Sequence, residues 1–132
     1  QWDVGNFQKV VDNRMDIHWI QAGDQNEFLL NNVEDFRGKT TLRELFYIIS
    51  QAQFVFANEG LINHIASAFK VKSYVIASGF SSVSLSKYEN SVFFNAEGSC
   101  DSSPCWLLEE CGVISKPCLS SIDPEMVINQ LP

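Results

Sequence analysis

The chain has 132 residues, a length that suits one compact domain. Hydrophobic residues make up 45% of it and charged residues 19%, which excludes an intrinsically disordered chain and predicts a buried core. The net charge of -7, without any basic run, argues against a nucleic-acid-binding surface. No apolar stretch approaches the roughly 18 residues of a membrane span, and no charged-then-apolar leader opens the sequence. We therefore expect a cytoplasmic protein without a membrane span.

The first half of the sequence predicts two helices and one strand. Apolar residues at helical spacing indicate a helix over Val4–Asn13, and an alternating β-rich run indicates a strand over Asp16–Ala22, with His18 packed inside it. Phe28–Leu30 fit either a short strand or a helical turn. Thr41–Ala52 is predicted to be helical, because Thr41 and Glu44 have the spacing of a capping box.

The second half alternates strands and helices with short links. Residues 53–69 (QFVFANEGLINHIASAF) predict a strand, a polar turn and an amphipathic helix, with Asn58 as the helix N-cap. Further strands are expected at Ser73–Ala77 and Ser91–Asn95, and a final helix beginning after Asp123. This order predicts an α/β fold with a parallel sheet. No strand is predicted ahead of the helix at Val4, so we expect the chain to be a fragment of a longer protein.

The polar turn of this central stretch is the strongest candidate site. Asn58, Glu59, Gly60 and His64 follow the carboxyl end of a predicted parallel strand, where ligands bind in such sheets. The amino terminus of the next helix suits a diphosphate, and Gly60 permits close approach to the backbone. Glu59 suits sugar or ribose hydroxyl groups better than phosphate. The alternative is that Glu59 is a first-turn acid, Gly60 a turn residue and His64 a surface histidine.

Lys39, Thr40 and Thr41 form a second candidate group. They lie at the start of the predicted helix over Thr41–Ala52, so their hydroxyl groups and charge could contact a ligand at the amino terminus of that helix. An N-cap threonine beside a solvated lysine is the more conservative interpretation.

Loops at two other strand ends could also contact a ligand. Ser78, Gly79 and Phe80 follow one predicted strand and could reach a base or a sugar. Gln21 and Gly23 follow another strand in the same way. Ordinary turn chemistry explains a Ser-Gly pair equally well.

All four cysteines lie within a short segment near the carboxyl end of the chain. Cys100, Cys105, Cys111 and Cys118 have the spacing C-x4-C-x5-C-x6-C, which lacks the paired C-x2-C pattern of a strong zinc site. Four thiolates can still hold a structural zinc or iron ion. Two disulfides, or free thiols, are the alternatives.

Several of these motifs together resemble glycosyltransferase family 9, the heptosyltransferases that use ADP-heptose to build lipopolysaccharide or to modify autotransporter proteins. The resemblance covers nearly the whole chain. Its segments are residues 36–42 (FRGKTTL), 58–60 (NEG), 64–66 (HIA), 71–73 (VKS) and the cysteine-containing tail from Pro104 to Pro124. The family commonly has Asp-Thr-Gly or Asp-Ser-Gly where this chain has Glu59-Gly60-Leu61, so the hydroxyl group is missing here.

The resemblance implies a Rossmann-like sheet with helices on both faces, as in the carboxyl-terminal domain of a GT-B glycosyltransferase. It implies that residues 1–132 bind a nucleotide-sugar donor similar to ADP-heptose. It also implies that the acceptor and the catalytic base belong to an amino-terminal partner domain outside this chain. Some family members hold iron in a cysteine finger, which favours metal at the four cysteines.

Two other functions stay open. One is a non-catalytic α/β interaction module that carries a cysteine-ligated metal or a disulfide loop. The other is a different nucleotide-binding enzyme, although neither G-x-G-x-x-G nor G-x4-G-K-[ST] occurs in the sequence.

Overall fold

The computed structural model describes residues 1–95, 98–106 and 117–132. Within them the chain is an α/β protein with two small parallel sheets. The helices are α1 (Val4–Asn13), α2 (Leu42–Gln51), α3 (Leu61–Ala68), α4 (Pro117–Ser120) and α5 (Pro124–Ile128), with one 3₁₀ turn at Val83–Leu85. The strands are β1 (Ile20–Gln21), β2 (Glu34–Asp35), β3 (Phe54–Asn58), β4 (Lys72–Ile76) and β5 (Ser91–Phe94).

The strands of each sheet run parallel. One sheet pairs β1 with β2, and the other has the order β3-β4-β5. In the larger sheet Phe54 lies opposite Lys72, and Asn58 lies opposite Ile76. Since all three strands point the same way, the turns that follow β3 and β4 leave the sheet at the same edge.

Apolar clusters cover both faces of the three-stranded sheet. On one face Tyr74 and Ile76 of β4 pack with Trp2 and Val10 of the amino-terminal segment and with Val127 of α5. A second cluster contains Ile49 of α2 together with Ile65 and Ala66 of α3. Val55 of β3 packs against this second cluster, whereas Phe54 and Phe56 pack against the first. The alternation along β3 therefore places one helical layer on each side of the sheet.

Three of the helix predictions are confirmed. Helix α1 spans the predicted range Val4–Asn13. The Thr41 hydroxyl accepts a hydrogen bond from the Glu44 amide, and the Glu44 carboxylate accepts one from the Thr41 amide, which completes the predicted capping box. Asp123 caps α5 as predicted. No helix among the described residues is long and apolar enough to cross a membrane.

The strand predicted over Asp16–Ala22 is wrong in most of its length. Only Ile20–Gln21 is strand, because its partner β2 also has just two residues. Strand β2 was not predicted. His18 is not packed in a core: its side chain is 75% exposed, and its Nε2 lies 3.1 Å from a carboxylate oxygen of Glu34. Extended chain thus persists only where a neighbouring strand accepts its hydrogen bonds.

The later helices bury only part of their length. In α3 the buried residues are Asn63, Ile65 and Ala66, whereas Leu61 at its start is 57% exposed. In the last helical segment Val127 and Leu131 are buried, whereas Met126 is 50% exposed.

The ion pair between Asp35 and Arg37 predicts acid sensitivity. Arg37 Nε donates to Asp35 Oδ1 at 2.8 Å, and this contact holds the pKa of Asp35 well below its usual range. Because the folded-state pKa lies below the unfolded value of about 3.9, the pair adds stability above that pH and loses it as the pH falls. Asp35→Asn should lower the free energy of unfolding at neutral pH and flatten its decline between about pH 5 and about pH 2.

Urea unfolding at a series of pH values measures this effect. Asp101→Asn, at an exposed aspartate, is the control and should leave the pH profile unchanged. Identical profiles for the two variants would contradict the prediction.

Candidate functional site

The ends of β3 and β4 form one wall of a cavity. The Glu59 amide donates to the Ile76 carbonyl at 2.9 Å, which extends the β3–β4 pairing one residue past Asn58. The cavity has a volume of about 360 Å³. It is lined by Gln1, Asn58, Glu59, Ile76, Ser78, Phe80, Ser81 and Leu119. Four of the predicted site residues therefore line the same cavity, namely Asn58, Glu59, Ser78 and Phe80.

Gly60, not Asn58, is the N-cap of α3, so the predicted cap is wrong. Gly60 has φ of 154°, a conformation that L side chains rarely adopt, and this explains why glycine is needed there. A Cβ at Gly60 would meet no atom within 4 Å, so the space beside it is open. Gly60 has no side chain with which to cap α3. The first amides of the helix thus have no capping side chain.

Asn58 is used to hold the amino-terminal segment instead. It is the last residue of β3, and its Oδ1 accepts a hydrogen bond from the Trp2 amide at 3.2 Å. Trp2 is 2% exposed, and its indole Nε1 donates to the Ile122 carbonyl at 3.1 Å. Asn58 therefore fixes the segment that leads into α1 against the carboxyl end of β3.

Glu59 is partly buried and has partners in the loop that follows β4. Its Oε1 accepts a short hydrogen bond from the Ser86 hydroxyl and a longer one, at 3.5 Å, from the Ser81 hydroxyl. Both donors are hydroxyl groups, which is the type of donor that the sequence predicted for Glu59. Here they come from the protein.

His64 lies in the second turn of α3 and outside the cavity lining. Its Nδ1 lies 2.7 Å from the Tyr88 hydroxyl, and the two rings meet edge to face with centroids 5.8 Å apart. When the Tyr88 hydroxyl donates to Nδ1, the neutral ring carries its proton on Nε2, which is then a hydrogen-bond donor. This contact favours the surface-histidine interpretation of His64.

Asn63 is a functional neighbour that the sequence interpretation missed. It is 1% exposed, and its amide nitrogen donates to the Ser86 carbonyl at 2.8 Å. Its Oδ1 accepts from the Ser73 hydroxyl at 3.0 Å. One buried side chain therefore joins α3, β4 and the loop that supplies the hydroxyl partner of Glu59.

Lys39, Thr40 and Thr41 do not line the cavity. Lys39 Nζ donates to the Asp35 carbonyl at 2.7 Å and lies 3.1 Å from the Asp35 carboxylate. Thr41 caps α2, and its backbone amide is the main cause that lowers the pKa of Glu44. These contacts match the conservative interpretation of a capping threonine beside a surface lysine.

Ser78 and Gly79, in the loop after β4, make different contacts. Ser78 lines the cavity, and its hydroxyl accepts from the Phe80 amide at 3.3 Å. Gly79 instead receives the cysteine segment: its carbonyl accepts from the Cys105 amide at 3.0 Å. A Cβ at Gly79 would lie 2.9 Å from Ser103 Oγ and 3.1 Å from Cys118 Cβ, so a larger residue would require these neighbours to shift.

Aromatic side chains meet at the outer edge of the cavity. Phe80 lines it and is 36% exposed, and Trp106 packs on Phe80 with ring centroids 5.9 Å apart. The Trp106 amide donates to the Phe80 carbonyl at 2.9 Å. The segment that carries Trp106 thus holds Phe80 in place beside the opening.

The cysteine hypothesis is only partly visible. Cys100, Cys105 and Cys118 form no disulfide with one another, and Cys111 lies outside the described residues. No group of three or more potential ligands able to hold a metal ion occurs within residues 1–95, 98–106 and 117–132. A four-cysteine site that includes Cys111 stays a prediction.

Gln21, another strand-end candidate, accepts from the Leu30 amide and donates to the Phe28 carbonyl, so it stabilises its own loop.

The sequence does not predict the parts played by Ser81, Ser86 and Tyr88 in this site. Their roles depend on how the loop folds back over α3, and no spacing in the sequence indicates that Ser86 meets Glu59 or that Tyr88 meets His64. One feature of the sequence indicates a buried contact: the polar residue Asn63 lies in the otherwise apolar stripe beside Ile62 and Ile65. A buried amide needs partners, so this position indicated a contact with another segment.

We predict that Asn63 is the main link between α3 and the loop. Asn63→Ala should lower the free energy of unfolding by about 2 kcal/mol, because it leaves the Ser86 carbonyl and the Ser73 hydroxyl without partners in a buried site. Chemical denaturation measures the loss. Asn13→Ala, at an exposed asparagine that bonds only within its own helix, is the control and should cost less than about 0.5 kcal/mol. Equal losses for the two variants would show that the buried contacts add nothing.

No protein-family model, curated protein or solved structure matches the chain. Its likeness to glycosyltransferase family 9 therefore stays a resemblance of short motifs. The function has to be argued from the geometry of the cavity at the ends of β3 and β4.

Proposed function

We propose that this chain is the nucleotide-sugar-binding domain of a glycosyltransferase, with a donor similar to ADP-heptose. The observation that carries the proposal is the cavity of about 360 Å³ at the carboxyl ends of β3 and β4. Ligands of open parallel sheets bind at this edge. The volume falls within the range of small-molecule sites, which is about 300 to 1,000 Å³.

The diphosphate is assigned to the start of α3. The first amides of this helix have no capping side chain, and the space beside Gly60 is open. A helix amino terminus attracts anions through these amides and through its partial positive charge. Glu59 is directed away from this position, since its carboxylate is bound to hydroxyl groups of the loop after β4. Its charge is thereby partly compensated.

Sugar and base are assigned to opposite sides of the same cavity. Glu59 uses one carboxylate oxygen for both serine contacts, so the other oxygen can accept a hydrogen bond from a sugar hydroxyl. Phe80 offers an aromatic surface at the opening, and Trp106 supports it. Stacking on an aromatic ring suits any nucleobase. In this proposal the doubly wound fold supplies the donor half of the active site, and the catalytic base belongs to an acceptor-binding partner domain.

Calorimetric titration with ADP, ADP-heptose and other nucleotide sugars tests the proposal. Saturable binding of at least one nucleotide sugar is expected, without appreciable transfer activity from this chain by itself. Glu59→Gln should weaken that binding about tenfold, the equivalent of about 1.4 kcal/mol. Glu89→Gln, at an exposed glutamate in the same loop, is the matched control and should leave affinity unchanged.

A second pair of variants addresses the histidine. His64 does not line the cavity, but it lies near the uncapped start of α3, and its Nε2 can donate to a phosphate there while Nδ1 is bonded to Tyr88. His64→Ala should therefore weaken binding, whereas His18→Ala, at the other histidine of the chain, should not. No saturable binding of any nucleotide sugar would refute the proposal. Equal affinities for the His64 and His18 variants would remove His64 from the site and leave the cavity itself standing.

The second candidate function is a non-catalytic interaction module. The contacts of Glu59 with Ser86 and of His64 with Tyr88 favour it, because both candidate residues already have protein partners. In that case Tyr88→Phe and His64→Ala would alter the stability of the loop equally, and neither would change the binding of a nucleotide sugar.

A further inference from the structure

An open slot separates β1 from β3. Its volume is about 330 Å³, and it lies between the facing edges of the two sheets, with α1 along one side. Its lining is largely apolar and includes one charged residue, Glu27. Apolar side chains reach it from both helical layers, among them Val4, Phe7 and Val11 of α1 and Ile62 of α3.

Backbone groups of β1 face this slot. The Glu34 amide donates to the Trp19 carbonyl and the Phe36 amide to the Gln21 carbonyl, both at 2.8 Å, so residues 19 and 21 direct their backbone groups toward β2. Along a strand, successive residues direct these groups to opposite edges. The N–H and C=O groups of Ile20 and Ala22 therefore point into the slot.

Backbone groups of β3 face it from the other side. The Glu59 amide bonds to the Ile76 carbonyl, and by the same alternation Val55 and Ala57 pair with β4. Phe56 and Asn58 consequently direct their N–H and C=O groups away from β4, into the slot. Within the described residues no backbone ladder joins β1 to β3. The slot is thus lined by one row of backbone donors and acceptors from each strand, and neither row has a strand partner among the described residues.

We propose that the slot is the docking site of a parallel β-strand that is joined to Gln1. Two strand edges on either side of an apolar space can bind one extended segment through its backbone. The segment would match β3 and β4, which have five residues each, and would be apolar on both faces because both helical layers contact it. It would carry no proline or charge.

The position of Trp2 identifies the source of the strand. Gln1 lines the slot, and the Trp2 amide is bound to the Asn58 side chain at the carboxyl end of β3. A strand that runs through the slot parallel to β3 would therefore end at Gln1 and continue through α1 into β1, which makes one βαβ unit. The resulting order, β2-β1-new strand-β3-β4-β5, is the doubly wound order of dinucleotide-binding sheets. The strand would dock in the slot whichever ligand the neighbouring cavity binds.

Amide hydrogen exchange followed by NMR tests the proposal on an extended protein. Five residues of sequence Val-Ile-Val-Leu-Val are fused ahead of Gln1, and Val-Asp-Pro-Asp-Val serves as the matched control. The apolar extension should slow exchange about tenfold or more at the amides of Ile20, Ala22, Phe56 and Asn58. The amides of Val55 and Ala57, which already bond to β4, are internal controls and should change less.

The free peptide with the apolar sequence is the second measurement, added to the unextended protein. It should protect the same four amides only at high concentration, because tethering raises the effective concentration of the strand. This result supports the proposal even when the extended protein is poorly soluble. Unchanged exchange with both extension and peptide would overturn the proposal, as would equal protection by the two extensions. Protection by the free peptide but not by the soluble tethered strand would overturn the assignment to Gln1.

Discussion

The parallel pairing of β3 with β4 is the interaction on which the rest of the site depends. It sets Asn58 opposite Ile76 and brings the turns after both strands to one edge of the sheet. The bond from the Glu59 amide to the Ile76 carbonyl continues this pairing into the turn itself. Since the turn residues are fixed by backbone bonds, the cavity they line is largely preformed, a property of ligand sites in α/β sheets.

The polar residues around this edge serve the fold and the site together. Asn63, Glu59 and His64 all bond to the loop between β4 and β5, through Ser86 and Tyr88. Asn63 is fully buried, so its contacts are chiefly structural, whereas the other two remain partly accessible. Changes at Glu59 or His64 therefore alter the loop as well as any ligand contact. This coupling is why each of these residues needs a control at an equivalent residue elsewhere.

The cavity and the slot share two lining residues. Gln1 and Asn58 line the cavity at the ends of β3 and β4, and they also line the slot between β1 and β3. In a doubly wound sheet the ligand binds where the strand order reverses, beside the first strand. A strand in the slot would complete that crevice from the side of Gln1. The proposed strand and the proposed ligand would therefore be neighbours, although each is inferred from different contacts.

Local signals predicted much of the fold. The helices with capping residues, at Thr41 and Asp123, begin where their side chains indicated, because capping depends on residues three positions apart or fewer. Strands were less predictable: β2, with only Glu34 and Asp35, has no pattern of its own and exists because β1 pairs with it. The site was half predictable. Its turn residues follow from the order of strand and helix, but the Ser86 and Tyr88 contacts depend on a loop that returns to α3 from more than 20 positions away.

The most direct test of the central claim is to map nucleotide-sugar binding on the amide spectrum of the isotopically labelled chain. We expect ADP-heptose or a related nucleotide sugar to shift the amide resonances of residues 59–62 and 78–81, which lie at the ends of β3 and β4. Resonances of Phe54 and Lys72, at the amino ends of the same two strands, should stay in place. No concentration-dependent shift with any nucleotide sugar, or shifts that omit both turns, would contradict the account.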